Sequence, residues 1–170
     1  MSELHPKISH YLVDSVIEVL GYGDQQRQVV QIAEPDDFDL KQLPLVCMMG
    51  IKGEKIQGSL VILCNAQFLR ASNPIKEIPA GKDDSYARDW LGEVVNLIMG
   101  QLKRKLTNHE LTFQVTSPSF QHYVRTSGMA LEEFGPKRYE DDGAYKDFWF
   151  QIGKMTIVVQ LGLKLKSAFQ

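Results

Sequence analysis

The sequence predicts one α+β domain of two layers, in which a mixed or antiparallel sheet carries a long central helix on one face. Apolar residues recur at helical spacing between Asp84 and Leu106. The segments before and after this helix show the alternation and the short apolar runs that are typical of β-strands. With 170 residues, 44% hydrophobic and 24% charged, the chain is long enough to bury a core. We therefore treat residues 1–170 as a single domain.

Charge and cysteine content argue against several classes of protein. The net charge of -2 and the isoelectric point near 6.1 disfavour general nucleic-acid binding, because phosphate neutralisation requires a dense basic surface. Charged residues such as Lys7, Asp14 and Glu18 interrupt the N-terminal apolar positions, which is unlike a signal peptide. We expect a cytoplasmic protein without membrane insertion. Cys47 and Cys64 lie in apolar runs without a metal-ligand pattern, which indicates buried, reduced thiols.

The first half of the chain reads as a helix, three strands and a short helix. Helical spacing from Ile8 to Leu20 predicts a first helix that ends at Gly21. Asn65 is predicted to cap a short helix over residues 66–71, which ends before Pro74. The predicted strands are Gln28–Ala33, Leu43–Ile51 and Ile56–Cys64, the last two joined by a turn at residues 52–55.

The second half begins with a loop over residues 73–85, and either Asp84 or Ser85 is predicted to cap the long helix. A short strand is predicted at residues 111–116, and the polar segment 120–143 as an excursion with one short strand near Tyr123. Residues 146–152 and 155–165 read as a hairpin. Its second arm is long for a strand, which hints at pairing with a second subunit and a sheet continued across a homodimer.

One face of the long helix carries polar residues that we call the polar line: Asp89, Glu93, Asn96 and Gly100. At roughly 100° per residue these positions fall within an arc of about 60°. Trp90 and Leu97 flank the line and give it an apolar border suited to docking. The opposite side of the helix is apolar, and we expect it to be buried in the core while the polar line is exposed. The residues of this apolar side are Leu91, Val94, Val95, Ile98, Leu102 and Leu106.

The polar line can be interpreted either as an ordinary solvent-exposed helix face or as a functional site. Exposed Glu and Asn residues at this spacing are common on solvated helices. Asn96, however, stands in mid-helix without a capping role, and Gly100 costs roughly 1 kcal/mol relative to Ala while leaving room for another backbone. The line contains no covalent nucleophile and is a poor metal site, so no metal is predicted. A carboxamide can hold a water by two hydrogen bonds, and a glutamate can pair with a partner's cation.

The arrangement resembles the CheC/CheX/FliY group of chemotaxis phosphatases, and the CheX type in particular. The resemblance extends over about residues 5–165 and implies a CheC-like fold, with the whole chain as one CheX-like domain. The features that carry it are the spacing Asp89-x-x-x-Glu93-x-x-Asn96-x-x-x-Gly100, Pro118 after the next strand, and the glycine-rich hairpin from Gly50 to Gly58.

The resemblance implies a hydrolase that removes phosphate from the aspartyl phosphate of a CheY-like response regulator. Asn96 would orient the hydrolytic water, and Glu93 would pair with the regulator's active-site lysine. The chain would need no cofactor of its own, because the Mg²⁺ would belong to the regulator. Further residues would support partner binding: Asp89, Trp90, Leu97 and Gly100.

The family pattern also bears on site number and assembly. CheC-type members carry two such helices, whereas here Gly21 stands where a second asparagine would follow Glu18. One site per subunit and a homodimer are the CheX pattern. Pro118 stands slightly closer to Asn96 than the family spacing, and the polar segment 120–143 is unlike a paired strand.

Two alternatives to catalysis stay open. The first is a binding module that recognises a receiver domain, a flagellar switch component or a CheD-like partner without hydrolysing anything. The second is a purely structural role, in which the polar line packs inside a homodimer.

Overall fold

The computed structural model describes residues 4–21, 28–74, 83–122 and 145–165. Within these ranges the helices are α1 (Leu4–Gly21), α2 (Ala66–Ser72) and α3 (Asp83–Thr107). The strands are β1 (Val29–Ile32), β2 (Leu45–Gly53), β3 (Ile56–Cys64), β4 (Phe113–Val115), β5 (Ser119–His122), β6 (Tyr145–Ile152) and β7 (Met155–Leu165).

The strands form one sheet in the order β1-β6-β7-β3-β2, with β4 and β5 paired to the other side of β2. Every pairing is antiparallel. The helices cover one face of this sheet, because buried residues of α1, α2 and α3 share one cluster with alternate residues of the central strands. The predicted α+β architecture of two layers is confirmed.

The other face of the sheet has a smaller apolar cluster under the connection between β1 and β2. Leu43 and the partly buried Phe38 and Leu40 come from this connection, and they pack on strand residues such as Trp149 and Val158. The ring of Phe38 meets Trp149 at a T-shaped angle, with 5.1 Å between centroids. Both faces of the central strands are therefore buried, as their nearly continuous apolar sequence requires.

Two short strands, β4 and β5, form the edge beside β2. The short strand predicted near Tyr123 corresponds to β5, which ends at His122 and in which Ser119 pairs with Met48. Residues 123–143 of the predicted excursion lie outside the described residues. Thr116 bridges the gap between β4 and β5, because its N–H donates to the carbonyl of Gly50 at 3.0 Å and its Oγ1 accepts from the N–H of Gly50 at 2.8 Å. Pro118, which has no N–H to donate, lies where the ladder is interrupted.

The length of β7 has a cause inside the chain. Residues 155–162 pair with β6, and residues 158–165 pair with β3. All 11 residues of β7 therefore have a neighbour in the same sheet. The length of this strand is therefore no evidence for a second subunit, since a central strand between two offset partners must be longer than either overlap. The homodimer remains a prediction that rests on the family resemblance.

The helix ends and the cysteines mostly follow the sequence. Asn65 caps α2, with its Oδ1 accepting from the N–H of Phe68 at 2.9 Å. The predicted cap of α3 at Asp84 or Ser85 is wrong, because that helix begins at Asp83.

Cys47 and Cys64 are buried free thiols, as predicted, and burial raises the pKa of Cys47 to about 12. None of the helices in the described ranges combines the length and hydropathy of a bilayer-spanning segment.

The C-terminal end of α3 closes with a Schellman motif. The N–H of Leu111 donates to the carbonyl of Leu106 at 3.2 Å, and the N–H of Glu110 donates to that of Thr107 at 3.0 Å. Glu110 takes the left-handed conformation that this motif requires, with φ at 60°. Leu106 and Leu111 are both buried, as the apolar contact of the motif predicts.

We expect Glu110→Gly to raise the free energy of unfolding by about 1 kcal/mol, because glycine adopts a positive φ without strain. Urea denaturation of the two proteins measures the difference. Glu110→Ala is the matched control: it keeps the strained φ and removes the same exposed contact with Lys55, whose Nζ lies 3.8 Å from the carboxylate. An alanine variant as stabilised as the glycine variant would contradict this explanation.

Candidate functional site

The packing of α3 determines which of its residues are exposed. Leu91, Val94, Val95, Ile98, Leu102 and Leu106 are all buried in the cluster between helices and sheet. The four members of the polar line are exposed on the opposite side. The predicted division of this helix into a buried and an exposed face is confirmed.

Glu93 and Asn96 lie on the exposed side of α3. Neither side chain makes a hydrogen bond or an ion pair in the part of the chain that the structure describes. By contrast, Glu18 on α1 is held by Lys105, with 2.8 Å between Oε1 and Nζ. The Glu93 carboxylate and the Asn96 carboxamide are therefore available to a second molecule, whereas Glu18 on the first helix is already paired with Lys105.

Gly100 continues the polar line into open space. A Cβ placed on this residue would have no described atom within 4 Å of it apart from those of its own stretch of helix. No internal packing therefore requires a glycine here, although glycine in a helix interior costs roughly 1 kcal/mol relative to alanine. Room for an approaching partner would explain the residue.

Trp90 and Leu97 border the polar line in different ways. Leu97 is 43% exposed, as predicted for the border of the exposed face, and its role in docking stays a prediction. Trp90 is half-buried and packs on the core, and its Nε1 donates to Ser72 Oγ at 2.8 Å. The indole therefore joins α3 to α2, which differs from the predicted exposed border, and its role in partner binding stays a prediction.

Sequence reasoning missed Phe120, which lies on the other side of the polar line. Phe120 pairs with Cys47 across the β2–β5 ladder, so its ring faces the helix layer. Its Cζ lies 2.9 Å from the position of a Cβ on Gly92, yet the residue remains 39% exposed. A glycine in mid-helix next to Glu93 was the one signal of this contact, because it indicates a close approach by another group.

The apolar surface at Phe120 continues along the same edge of the sheet. Val115 pairs with Ile51 and is 40% exposed on the helix side. We call Val115 and Phe120 the apolar edge. Further along, the Nζ of Lys103 on α3 lies 5.8 Å from the ring centroid of Phe113 on β4. The strands β4 and β5 thus run beside α3, with the apolar edge next to the polar line.

Three properties of this region bear on its chemistry. It presents the Glu93 carboxylate and the Asn96 carboxamide on one helix, neither of them paired with any residue that the structure describes, and it has apolar surface on both sides. In the described ranges no group of three His, Cys, Asp or Glu side chains could hold a metal ion. A hydrogen-bonding amide of this kind can orient a water, and the carboxylate can receive a cation.

Comparison with known protein families identifies the family of this chain. The family model described as chemotaxis phosphatase CheX matches residues 45–130, which is half of the chain and includes the whole polar line. The chain belongs to the CheX family. The predicted resemblance is therefore confirmed at the level of the family. No curated protein sequence matches the chain.

Solved structures of this family have the same fold. The chemotaxis protein CheX from Vibrio vulnificus is 17% identical, with a TM-score of 0.70 over 92% of this chain and 96% of that one. CheX from Desulfovibrio desulfuricans is 19% identical, with a TM-score of 0.65 over 93% and 99%. A CheX-CheY-BeF3-Mg²⁺ complex from Borrelia burgdorferi matches with 14% identity and a TM-score of 0.62 over 91% and 96%. The CheC-like fold is thereby confirmed.

The contact between Trp90 and Ser72 is expected to stabilise the N-terminal half of α3. Trp90→Phe removes the donor, and we expect it to lower the free energy of unfolding by about 1 kcal/mol or more, since a hydrogen bond and packing are lost together. A double-mutant cycle with Ser72→Ala in urea denaturation measures the coupling. Additive effects of the two substitutions would contradict a stabilising hydrogen bond.

Proposed function

We propose that the protein is a phosphatase that hydrolyses the aspartyl phosphate of a CheY-like response regulator in the cytoplasm. The observation that carries this proposal is that Glu93 and Asn96 are exposed, and make no contact with a polar group of the described residues, on a helix whose opposite side is buried. Membership of a family described as chemotaxis phosphatases supports the reaction class. The complex of a structural relative with CheY, BeF3 and Mg²⁺ supports the choice of partner.

Asn96 acts by placing a water rather than by supplying a nucleophile. Its carbonyl oxygen accepts a hydrogen bond from the water, its N–H₂ donates one to the water oxygen, and the remaining lone pair points at phosphorus. The water oxygen forms a bond to phosphorus while the bond between phosphorus and the aspartyl oxygen breaks. The products are inorganic phosphate, a free aspartate carboxylate and a proton released from the water. Positioning of this kind supplies most of the catalysis in phosphoryl transfer.

Glu93 fixes the register in which the two proteins meet. It stands one helical turn before Asn96 and carries a charge that no described residue neutralises. A lysine in the regulator's active site gives it a cation, and a charge-assisted hydrogen bond between the two orients the docked pair. The regulator also supplies the Mg²⁺ that neutralises the phosphate oxygens, so this chain needs no cofactor of its own.

We expect Asn96→Ala to slow the dephosphorylation of a receiver domain by about 100-fold or more at saturating receiver, because the water loses its orientation. The measurement is the decay of a ³²P-labelled CheY-like receiver with Mg²⁺, using the receivers encoded in the same genome. Asn108→Ala is the matched control, since it removes an exposed amide from the turn after α3. We expect this control to match the wild type.

Unaltered decay with a folded Asn96→Ala protein would show that the amide has no catalytic role. Saturable binding of a receiver whose phosphate lifetime does not change would select the binding-module alternative. Glu93→Ala should mainly raise the receiver concentration at half-maximal rate, by about 10-fold, because it removes an ion pair of the docked complex.

Gly100→Ala should separate stability from function. We expect it to raise the free energy of unfolding by up to about 1 kcal/mol, because the added methyl group meets no atom and the helix propensity improves. We expect the same substitution to weaken receiver dephosphorylation, because the methyl group occupies space needed by the partner. Gly21→Ala, at another helical glycine with open space, is the control that should leave dephosphorylation unchanged. Full activity of Gly100→Ala would show that Gly100 is not part of the docking surface.

We also propose a homodimer, on the family pattern alone. Sedimentation equilibrium at micromolar concentration should give twice the chain mass of 19.3 kDa. A dimer in which the polar line is buried between subunits would support the structural alternative, and a dimer with the polar line exposed is what the phosphatase requires.

A further inference from the structure

Phe120 occupies a notch in the helix that carries the polar line. The absence of a side chain on Gly92 lets the ring lie against the backbone of α3, since Cζ is 2.9 Å from where a Cβ would stand. Glycine in mid-helix is unfavourable by roughly 1 kcal/mol relative to alanine. The helix alone would be more stable with alanine at this position. We therefore attribute the glycine to the space that the ring of Phe120 requires.

The position of this ring relative to Asn96 follows from helix geometry. Asn96 stands four residues after Gly92, and side chains on a helix lean toward its N-terminus. The carboxamide of Asn96 therefore leans over the turn of Gly92, where the ring of Phe120 lies. One turn of helix is about 5.4 Å long, which sets the scale of the separation between the amide and the aromatic ring.

A partner that reaches Asn96 must also cover Phe120. A specific interface buries about 800 Å² on each protein, which corresponds to a patch roughly 30 Å across. A patch of this size centred on Asn96 includes the apolar edge. Even after packing on Gly92, Phe120 is 39% exposed and Val115 is 40% exposed, so apolar surface is left for the partner to desolvate.

We infer that Phe120 is a docking residue for the phosphorylated receiver domain, and that it contributes affinity rather than chemistry. The identity of the partner rests on the proposed function. An aromatic ring at the side of an interface centre, held rigid by its packing on Gly92, has the character of an energetic hot spot because little conformational freedom is lost on binding. The ring contacts the receiver's surface beside its phosphorylation site and touches no reacting atom.

This role predicts a split between affinity and rate. Phe120→Ala raises the receiver concentration at half-maximal rate by about 10-fold or more, which is the usual effect of a hot-spot truncation. The rate at saturating receiver changes by less than about twofold, because Asn96 still places the water. Asn96→Ala has the opposite signature, with a reduced maximal rate.

The experiment uses two readouts on the full chain. The first is the rate of dephosphorylation over a range of receiver concentrations. The second is calorimetric binding of a CheY-like receiver from the same genome, charged with beryllofluoride and Mg²⁺. Phe120→Leu is the conservative variant and should recover much of the affinity. Val30→Ala, at an exposed apolar residue on β1 at the opposite edge of the sheet, is the control that should change neither readout.

A second variant guards against misfolding. In Gly92→Ala with Phe120→Ala, the new methyl group occupies the vacated notch and improves helix propensity, so the fold is restored. The double variant should bind the receiver as weakly as Phe120→Ala does. Wild-type affinity in the double variant would overturn the inference, because affinity would then have depended on the integrity of the fold and not on the ring.

The outcomes separate this inference from the proposed function. Unchanged half-saturation and unchanged calorimetric affinity in Phe120→Ala would overturn the inference and leave the phosphatase intact. A wild-type protein that binds the charged receiver in a Phe120-dependent manner without accelerating dephosphorylation would support the inference and overturn the phosphatase. A loss of maximal rate with unaltered affinity in Phe120→Ala would overturn docking in favour of positioning. No binding of any receiver by the wild type would overturn both.

Discussion

The packing of α3 on the sheet is the constraint on which the candidate site depends. Val94, Val95 and Ile98 are completely buried, and together they allow only one rotation of the helix about its axis. Each residue turns the helix by roughly 100°, so a rotation by one position would bury part of the polar line and expose the core. The amide of Asn96 faces outward because the aliphatic side of the same helix is buried against the sheet.

The surroundings of α3 add positional control at several points. Trp90 joins the helix to α2 through Ser72, and Lys105 joins it to α1 through Glu18. A catalytic amide that acts by placing a water needs such rigidity, because a displacement of about 1 Å can cost 100-fold in rate. The fold thus provides a stiff platform from which two polar side chains project.

Local patterns in the sequence predicted most of the elements and the face of the site. The hairpin of β6 and β7, the bounds of β3, the cap at Asn65 and the two faces of α3 all follow from periodicity and turn residues. These features depend on residues that lie close together in sequence, which is why one chain is enough to infer them. The roles of Glu93 and Asn96 are predictions that come from the resemblance to the CheX family.

Features that depend on which elements become neighbours could not be predicted in the same way. The length of β7 was taken as a hint of a second subunit because alternation shows that a strand exists but not how many strands pair with it. Phe120 was missed because its contact with Gly92 joins two elements through the sheet register. The exposure of Trp90 was overestimated for the same reason, since the residue that binds its indole nitrogen lies on α2. In each case the missing information was tertiary.

The most direct test of the account is an NMR titration that follows the side-chain amide of Asn96 while a beryllofluoride-charged receiver with Mg²⁺ is added. Assignment of this amide by the Asn96→Asp variant identifies the signal. The account predicts that the Asn96 carboxamide signal shifts strongly and saturates with the receiver, together with backbone signals of the polar line. Saturable binding that leaves this amide unshifted and perturbs a different face of the protein would contradict it.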